Sequence, residues 1–306
     1  MTSNRFAEHW PAGSLLLAAV MWGLFWLPLR YFHQQGIDGL WSSVIVYLAA
    51  LVAGVGLMRH HWHELRNTPW RLVAIAFASG WCNISFIVAV AEKDAARVVL
   101  LFYLAPVWSI MLGILFLHER PGLSALVISL LAMTGAGLML WDPQQGAVWP
   151  RDRNDWLALS SGFSFAVANV LVRGLPQAGA MTKSFVTWCG VVLVGGVGIL
   201  LLYHPQHYPV PQVPMSLWPW LLLVGAPGVV VMTVLVQYGV SRLPVYRSAV
   251  ILLFEVFVTL LSSQLLSDER LSSMGWLGGA LIIAASAVSA LAAKTSRYRR
   301  GRGEVE

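Results

Sequence analysis

The sequence predicts an all-α membrane protein of ten transmembrane helices, arranged as two inverted five-helix repeats. Three observations lead there. Of 306 residues, 58% are hydrophobic and only 11% charged, whereas soluble domains carry about 25% charged residues. A soluble chain of this length would bury only about three quarters of its unfolded surface, and too few charges remain to cover the rest. Marking charges as boundaries leaves ten apolar runs, each near the ~20 residues that a bilayer core requires. A charged-flanked segment of the first half also returns in the second half at an offset of 150 residues.

The runs fall at about 13–31, 40–58, 71–91, 96–117, 122–141, 156–173, 183–203, 217–240, 246–267 and 272–293, with short connections throughout. The first passes through Trp22, Trp26 and Pro28 for a full span before Arg30, so no cleavable signal peptide is expected. The third holds the only glycosylation sequon, Asn83-Ile84-Ser85, at a depth glycosylation does not reach. Gly225, Pro227 and Gly228 loosen the eighth, and Gly275 and Gly279 give the tenth a small-xxx-small pair suited to seating one helix on another. Cys82 and Cys189 lie in apolar stretches without CxxC spacing and read as small hydrophobes.

Direction follows from charge. With both termini on one side, that side holds 14 of the 20 Lys and Arg, among them Arg59, Arg66, Arg71, Arg120, Arg173, Lys183, Arg242 and Arg247. The other side holds Arg30, Lys93, Arg97, Arg151, Arg153 and Arg270, so the positive-inside bias places both termini in the cytoplasm. The connection from His204 to Met215 has four prolines and no Lys or Arg, as an external loop would. The net charge of +6 is scattered except for the tail of Lys294, Arg297, Arg299, Arg300 and Arg302. That tail reads as a membrane-surface anchor, and no nucleic-acid partner is expected.

The repeat aligns Arg97–Arg120 with Arg247–Arg270 without gaps. Four of 24 positions are identical: Arg97 with Arg247, Leu115 with Leu265, and Glu119-Arg120 with Glu269-Arg270. Spans 4 and 9 are therefore equivalent, which makes a unit of five spans. Five is odd, so the second unit enters the membrane from the opposite side. The expected organisation is 1–145 as the first unit, 146–293 as the inverted second, and 294–306 as the basic tail. Such inverted repeats are a hallmark of secondary transporters, whose substrate site lies near the midplane between the halves.

An ionisable group within a span is costly and points to function. Of all Asp, Glu, Lys and Arg, Glu255 alone sits mid-span, eight residues past Arg247 or about 12 Å along a helix. No Lys or Arg shares its depth. Either it faces a watery cavity and meets a substrate or proton there, or it is a neutral carboxyl bonded to a neighbouring helix. All eight histidines fall in loops or at span ends, and the HHWH cluster at 60–63 lacks a fourth ligand, so neither a buried proton relay nor a metal site is expected. Pro28, Pro106 and Pro227 break helices at membrane depth, where freed backbone groups need protein or a cavity beside them; these are the expected gating kinks. Candidate lining residues are Trp22, Trp81, Asn83, Tyr103, Trp108, Asn169, Gln237 and Tyr238. Trp10, Trp41, Trp70, Trp141, Trp149, Trp156, Trp218 and Trp220 near span ends read instead as the interfacial belt.

Trp22-Gly23 early in span 1 and the segments APVW…LHER and FEVF…SDER closing spans 4 and 9 resemble the drug/metabolite transporter superfamily, EamA-like branch, over nearly the whole chain. Within it the texture is similar to bacterial aromatic amino-acid exporters. The resemblance implies a bacterial inner membrane, spans 3, 4, 8 and 9 around a central cavity, spans 5 and 10 outside it, and amino acids leaving the cell. Two departures stand out: Val256 follows Glu255 where the family often has Pro, and His118 and Asp268 stand where it usually has Gly.

The function expected is a secondary exporter of neutral, above all aromatic, amino acids or related small metabolites, working by alternating access without cofactor or metal. Its expected partners are the bilayer and a small-molecule substrate, with a single chain as the unit. Efflux of lipophilic cations, with Glu255 pairing their charge, is the alternative. An intramembrane enzyme is disfavoured because no buried His, Asp or Lys accompanies the buried serines, and an ATP-driven pump because GxxxxGK[ST] does not occur.

Overall fold

A computed structural model describes residues 5–92, 95–140, 150–202, 210–266 and 272–291. Lys93, Trp141, Trp149, most of the His204–Met215 connection, the Asp268-Glu269-Arg270 end of the repeat and the basic tail lie outside the described residues. Among the described residues there is no strand, and ten helical spans are long and apolar enough to cross a bilayer. They are His9–Gln34, Gly39–His60, Pro69–Ala91, Arg97–Leu117, Leu123–Leu140, Arg153–Arg173, Ala180–Leu201, Met215–Val240, Val245–Leu266 and Ser273–Leu291, numbered 1 to 10. The chain is an integral membrane protein. Its outer surface is apolar, Leu200 and Leu201 each being 79% exposed and Trp70 83%, a liability in water and neutral against acyl chains.

Local chemistry sets the span ends. The Asp38 carboxylate accepts from the N–H groups of Leu40 and Trp41 at 2.8 and 3.1 Å to start span 2. Asp152 does the same for Asn154 and Asp155 at 2.9 and 3.1 Å to start span 6. Span 4 ends at His118, whose left-handed backbone (φ 54°) turns the chain so that the Glu119 N–H reaches back to the Gly113 carbonyl.

Prolines set the breaks inside spans. A proline ring clashes with the carbonyl four residues earlier, and three mid-span prolines stop their helices there, while Pro11 sits near the start of an unbroken helix. Pro28 follows a segment ending at Leu24, Pro106 one ending at Phe102, and Pro227 one ending at Leu223, after which Val224–Val229 forms a π turn. Span 9 is also divided, into Val245–Leu252 and Phe254–Leu266, although no proline is present. Its break at Leu253 lies 150 residues from Tyr103, where span 4 breaks, so the offset read from flanking charges returns as a backbone feature.

Spans 3, 6 and 7 pack at the centre, and spans 5 and 10 pair at the edge. The pairing of spans 5 and 10 depends on Gly278 and Gly135, where a Cβ on either would strike the other's carbonyl oxygen. The intimate contact is thus made by Gly278, one residue from the pair expected in span 10, while Gly279 meets the Phe257 ring. Trp10, Trp156, Trp218 and Trp220 are exposed, as is Trp70, whereas Trp41, read from sequence as interfacial, packs into the core formed by spans 2, 3, 7 and 8.

Three charges expected in water at span ends are buried. Arg97 (9% exposed) forks onto Asp155 (0% exposed) with contacts of 2.8 and 3.0 Å. Lys183, fully buried, donates to the Val172 carbonyl and the Ser241 hydroxyl, both at 2.8 Å. Here the face carrying the connections after spans 2, 4, 6 and 8 is termed the near face and the other the far face.

Candidate functional site

A cavity of about 220 Å³ opens at mid-depth, walled by eight spans: 1 to 4 and 6 to 9. Spans 5 and 10 stay outside, as the resemblance implies, but spans 1, 2, 6 and 7 join the four it names. Three walls present helical stripes at i, i+3, i+4 and i+7 spacing. Ser79, Cys82, Asn83 and Phe86 form one in span 3, Phe165, Ala168, Asn169 and Val172 another in span 6, and Thr233, Val236 and Gln237 a shorter one in span 8.

The breaks in spans 4 and 9 add Tyr103, Pro106 and Glu255. Glu255 lies in the first turn after the span 9 break, partly exposed to the cavity, with the Tyr103 hydroxyl as its hydrogen-bond partner. Trp22 enters from span 1, and Gly23 beside it lets that span lie close to span 9: a Cβ there would stand 2.9 Å from the Glu255 carbonyl oxygen and 2.7 Å from the Val258 Cβ. The Trp-Gly pair therefore brings an indole and a carboxylate to the same cavity.

Of the residues chosen from sequence, Glu255, Asn83, Tyr103, Trp22, Asn169, Gln237 and Pro106 line the cavity. Trp81, Trp108 and Tyr238 do not. Trp81 points out between spans 3 and 6, donating to the Ser160 hydroxyl at 3.1 Å and stacking on Phe77. It precedes Asn83 by two positions, about 200° around the helix. Trp108, likewise two beyond Pro106, packs edge-on against Phe163 with centroids 5.5 Å apart. Tyr238, one position past Gln237, lies under the Arg242 guanidinium at 3.7 Å. Pro28 and Pro227 break their helices without lining the cavity.

Sequence reading missed Tyr47, Ser79, Thr187, Thr233 and the phenylalanines. Phe102 meets Phe86, Tyr103 and Phe165 at 5.0, 5.3 and 5.7 Å, forming an aromatic wall. Mid-span phenylalanine carries no sequence signal that separates such a wall from lipid-facing surface. Polar groups are mostly locked in chains. Ser43 donates to Asn83 Oδ1 at 2.6 Å, and Asn83 Nδ2 donates to the Tyr47 hydroxyl at 3.3 Å. Gln237 Nε2 donates to Thr187 at 3.2 Å, which donates onward to Ser79 at 3.3 Å. Asn169 Nδ2 and Gln237 Oε1 are buried without a partner.

Beneath the cavity, at the near face, polar groups tie spans together, the Lys183 and Arg173 bonds within the second half and those of Glu119 and Glu64 between the halves. The Lys183 bond to the Val172 carbonyl lies at the cavity floor, and Arg173 donates to the Ser241 carbonyl at 2.7 Å. Glu119 accepts from the Val245 N–H at 3.0 Å; burial raises its carboxyl above the ordinary value, a shift that this bond and the Arg173 and Arg247 charges only partly oppose. Glu64 accepts from Gly179 N–H at 2.6 Å and Thr182 at 2.7 Å. Burial would raise it as well, but the bonds from Thr182, Gly179 and His61 outweigh that and hold its carboxyl below the ordinary range. His61 of the HHWH cluster is thus engaged with Glu64, at 2.9 Å.

Comparison with known proteins agrees with this architecture. The sequence model of the EamA-like transporter family matches over residues 9–141 and 153–291. An uncharacterized transporter of Pseudomonas aeruginosa is 26% identical over 268 residues, covering 84% of this chain and 85% of that protein. An uncharacterized transporter of Bacillus subtilis is 24% identical over 263 residues, covering 83% and 84%. One of Archaeoglobus fulgidus is 26% identical over 274, covering 89% and 93%. A solved crystal structure superposes with a TM-score of 0.72 at 16% identity, over 92% of this chain and 98% of that one, which shows the shared fold.

Proposed function

The chain belongs to the EamA-like transporter family, and from that premise we propose that it is a secondary exporter of neutral amino acids, aromatic ones above all, or of related small metabolites. The observation that carries this reading is the mid-depth cavity itself, shared by spans of both halves and holding Glu255 beside Tyr103 against an aromatic wall. A charged or zwitterionic substrate leaving water needs an oppositely charged or hydrogen-bonding partner. An aromatic side chain stacked on Phe or Trp gains about 0.5–1.5 kcal/mol beyond its area. The volume of about 220 Å³ is below that of typical drug-sized sites, which begin near 300 Å³, and suits a compact metabolite.

Alternating access is the mechanism this reading implies, with two inverted five-span units; the helix breaks of span 4 at Tyr103 and span 9 at Leu253, both beside the cavity, support it. On this reading the near face is the cytoplasmic one, as the bias of Lys and Arg supports, and the membrane is a bacterial inner membrane. One chain supplies every wall of the cavity, which supports the monomer as the working unit. Efflux of lipophilic cations is a second reading, favoured by Glu255 within aromatic walls. Purified protein in liposomes, assayed for counterflow of an amino-acid panel with and without an imposed pH gradient, tests the proposal. Saturable amino-acid counterflow that lipophilic cations do not inhibit is the expected result. Counterflow of cations alone would transfer the function to the second reading.

A further inference from the structure

Two cavity-lining amides hold polar atoms that the protein leaves unmatched. Asn169 on span 6 and Gln237 on span 8 are each only 6% exposed, yet Asn169 Nδ2, a donor, and Gln237 Oε1, an acceptor, have no hydrogen-bond partner among the described residues. A buried polar group without a partner is costly, and native proteins keep few of them. Both amides belong to the same cavity as Glu255. The Gln237 orientation is set from behind: its Nε2 donates to Thr187, which donates to Ser79, so the carbonyl oxygen is the end left free. Asn83, the third amide of the cavity, is by contrast satisfied internally by Ser43 and Tyr47.

We infer that Asn169 and Gln237 are specificity-determining substrate contacts, Asn169 donating to the carboxylate of a zwitterionic amino acid and Gln237 accepting from its ammonium. The inference rests on the transport reading above and deepens it by dividing the headgroup between named residues. A free donor asks for an acceptor and a free acceptor for a donor, and an α-amino acid carries both on one carbon. Glu255 supplies the counter-charge for the ammonium. A lipophilic cation offers nothing to Asn169, so this residue separates the two substrate classes.

The test uses the full-length protein in proteoliposomes with two probes that differ only in the carboxylate, phenylalanine and phenethylamine. Asn169→Leu and the equally sized Asn169→Asp are expected to raise half-saturation for phenylalanine about tenfold more than for phenethylamine, a factor equal to about 1.4 kcal/mol. Gln237→Leu is expected to raise both alike. Remaining phenethylamine counterflow reports a folded carrier in each variant. Equal shifts for the two probes in both Asn169 variants, loss of both probes in both, or no shift in either overturns the assignment. If wild type carries phenylalanine and Glu255→Gln does not, while both Asn169 variants match wild type, only this assignment falls. A wild-type protein that carries no amino acid ends the exporter reading as well.

Discussion

Lys183→Met is the sharpest test of how the cavity is closed toward the near face. The ammonium is fully buried and ties three elements, donating at 2.8 Å to the Val172 carbonyl at the end of span 6 and at 2.8 Å to Ser241 between spans 8 and 9. Val172 lines the cavity, so this tie lies between the cavity and the near face, where a closing contact is expected. Methionine keeps much of the stem and deletes both bonds. Two hydrogen bonds from a charged group are worth about 3–6 kcal/mol together, and releasing the cost of burying the ammonium offsets part of that, so the closed form loses a net of about 1–3 kcal/mol. That moves the closed-to-open ratio about 5- to 150-fold. The protein supplies its own reporter, because Cys82 lines the cavity and Cys189 is the only other cysteine. In a Cys189→Ser background, a membrane-impermeant thiol reagent added from the near face labels Cys82 at a rate proportional to the open fraction. Lys183→Met should label at least about fivefold faster. A rate within twofold of the parent, in protein that still elutes as a single species, would refute the closing role.

Other outcomes follow from the same geometry. Glu255→Gln is expected to lose most transport while inserting and folding normally, and Tyr103→Phe to weaken it less, because it removes one hydrogen bond and leaves the carboxylate; wild-type rates and substrate range in Glu255→Gln would count against the site. Arg97→Leu strands a buried Asp155 carboxylate and should cost about 3–5 kcal/mol, whereas Arg97→Leu with Asp155→Leu should recover much of it; thermal unfolding in detergent compares them. For Glu64, whose carboxyl is held below its ordinary value, the stabilisation is present above the unfolded-state value and fades as pH falls through the folded-state one. The deficit of Glu64→Gln against wild type should therefore be largest at neutral pH and narrow below about pH 4.3. Glu119 has the opposite sign, since its raised carboxyl favours the fold as pH falls, and a Glu119→Gln melting series across pH separates the two.

Ten spans and their boundaries were legible because charge is excluded from hydrocarbon, and helix breaks at Leu24, Phe102 and Leu223 follow from the prolines four residues on. Glu255 stood out as the lone mid-span acid. Side-chain direction was not legible. A membrane helix apolar on all sides has no hydrophobic face to orient it, so nothing in sequence told Asn83, which faces the cavity, from Trp81, which faces away. Burial of Lys183, Arg97 and Asp155 was hidden for a related reason: their partners are a carbonyl, a loop hydroxyl and each other, brought close only by tertiary packing.

The break in span 9 carries the argument furthest. Val256 occupies the position where the resembling family often has proline, and a proline there would clash with the carbonyl of Leu252, where the first segment of span 9 ends. The helix stops there all the same: Val256 N–H turns back to the Leu253 carbonyl at 3.0 Å, a tighter bond than the α-helical one. Since the local residue does not force the break, the packing around it must, including the close approach of Gly23 to the Glu255 carbonyl and the contact of Tyr103 with the Glu255 carboxyl. A break maintained by tertiary contacts can be released when those contacts change. A proline-imposed break is built into the chain. Span 4, with Pro106, is thus the fixed half of the pair and span 9 the adjustable one, which puts the sole mid-membrane acid on the element best able to change shape between states.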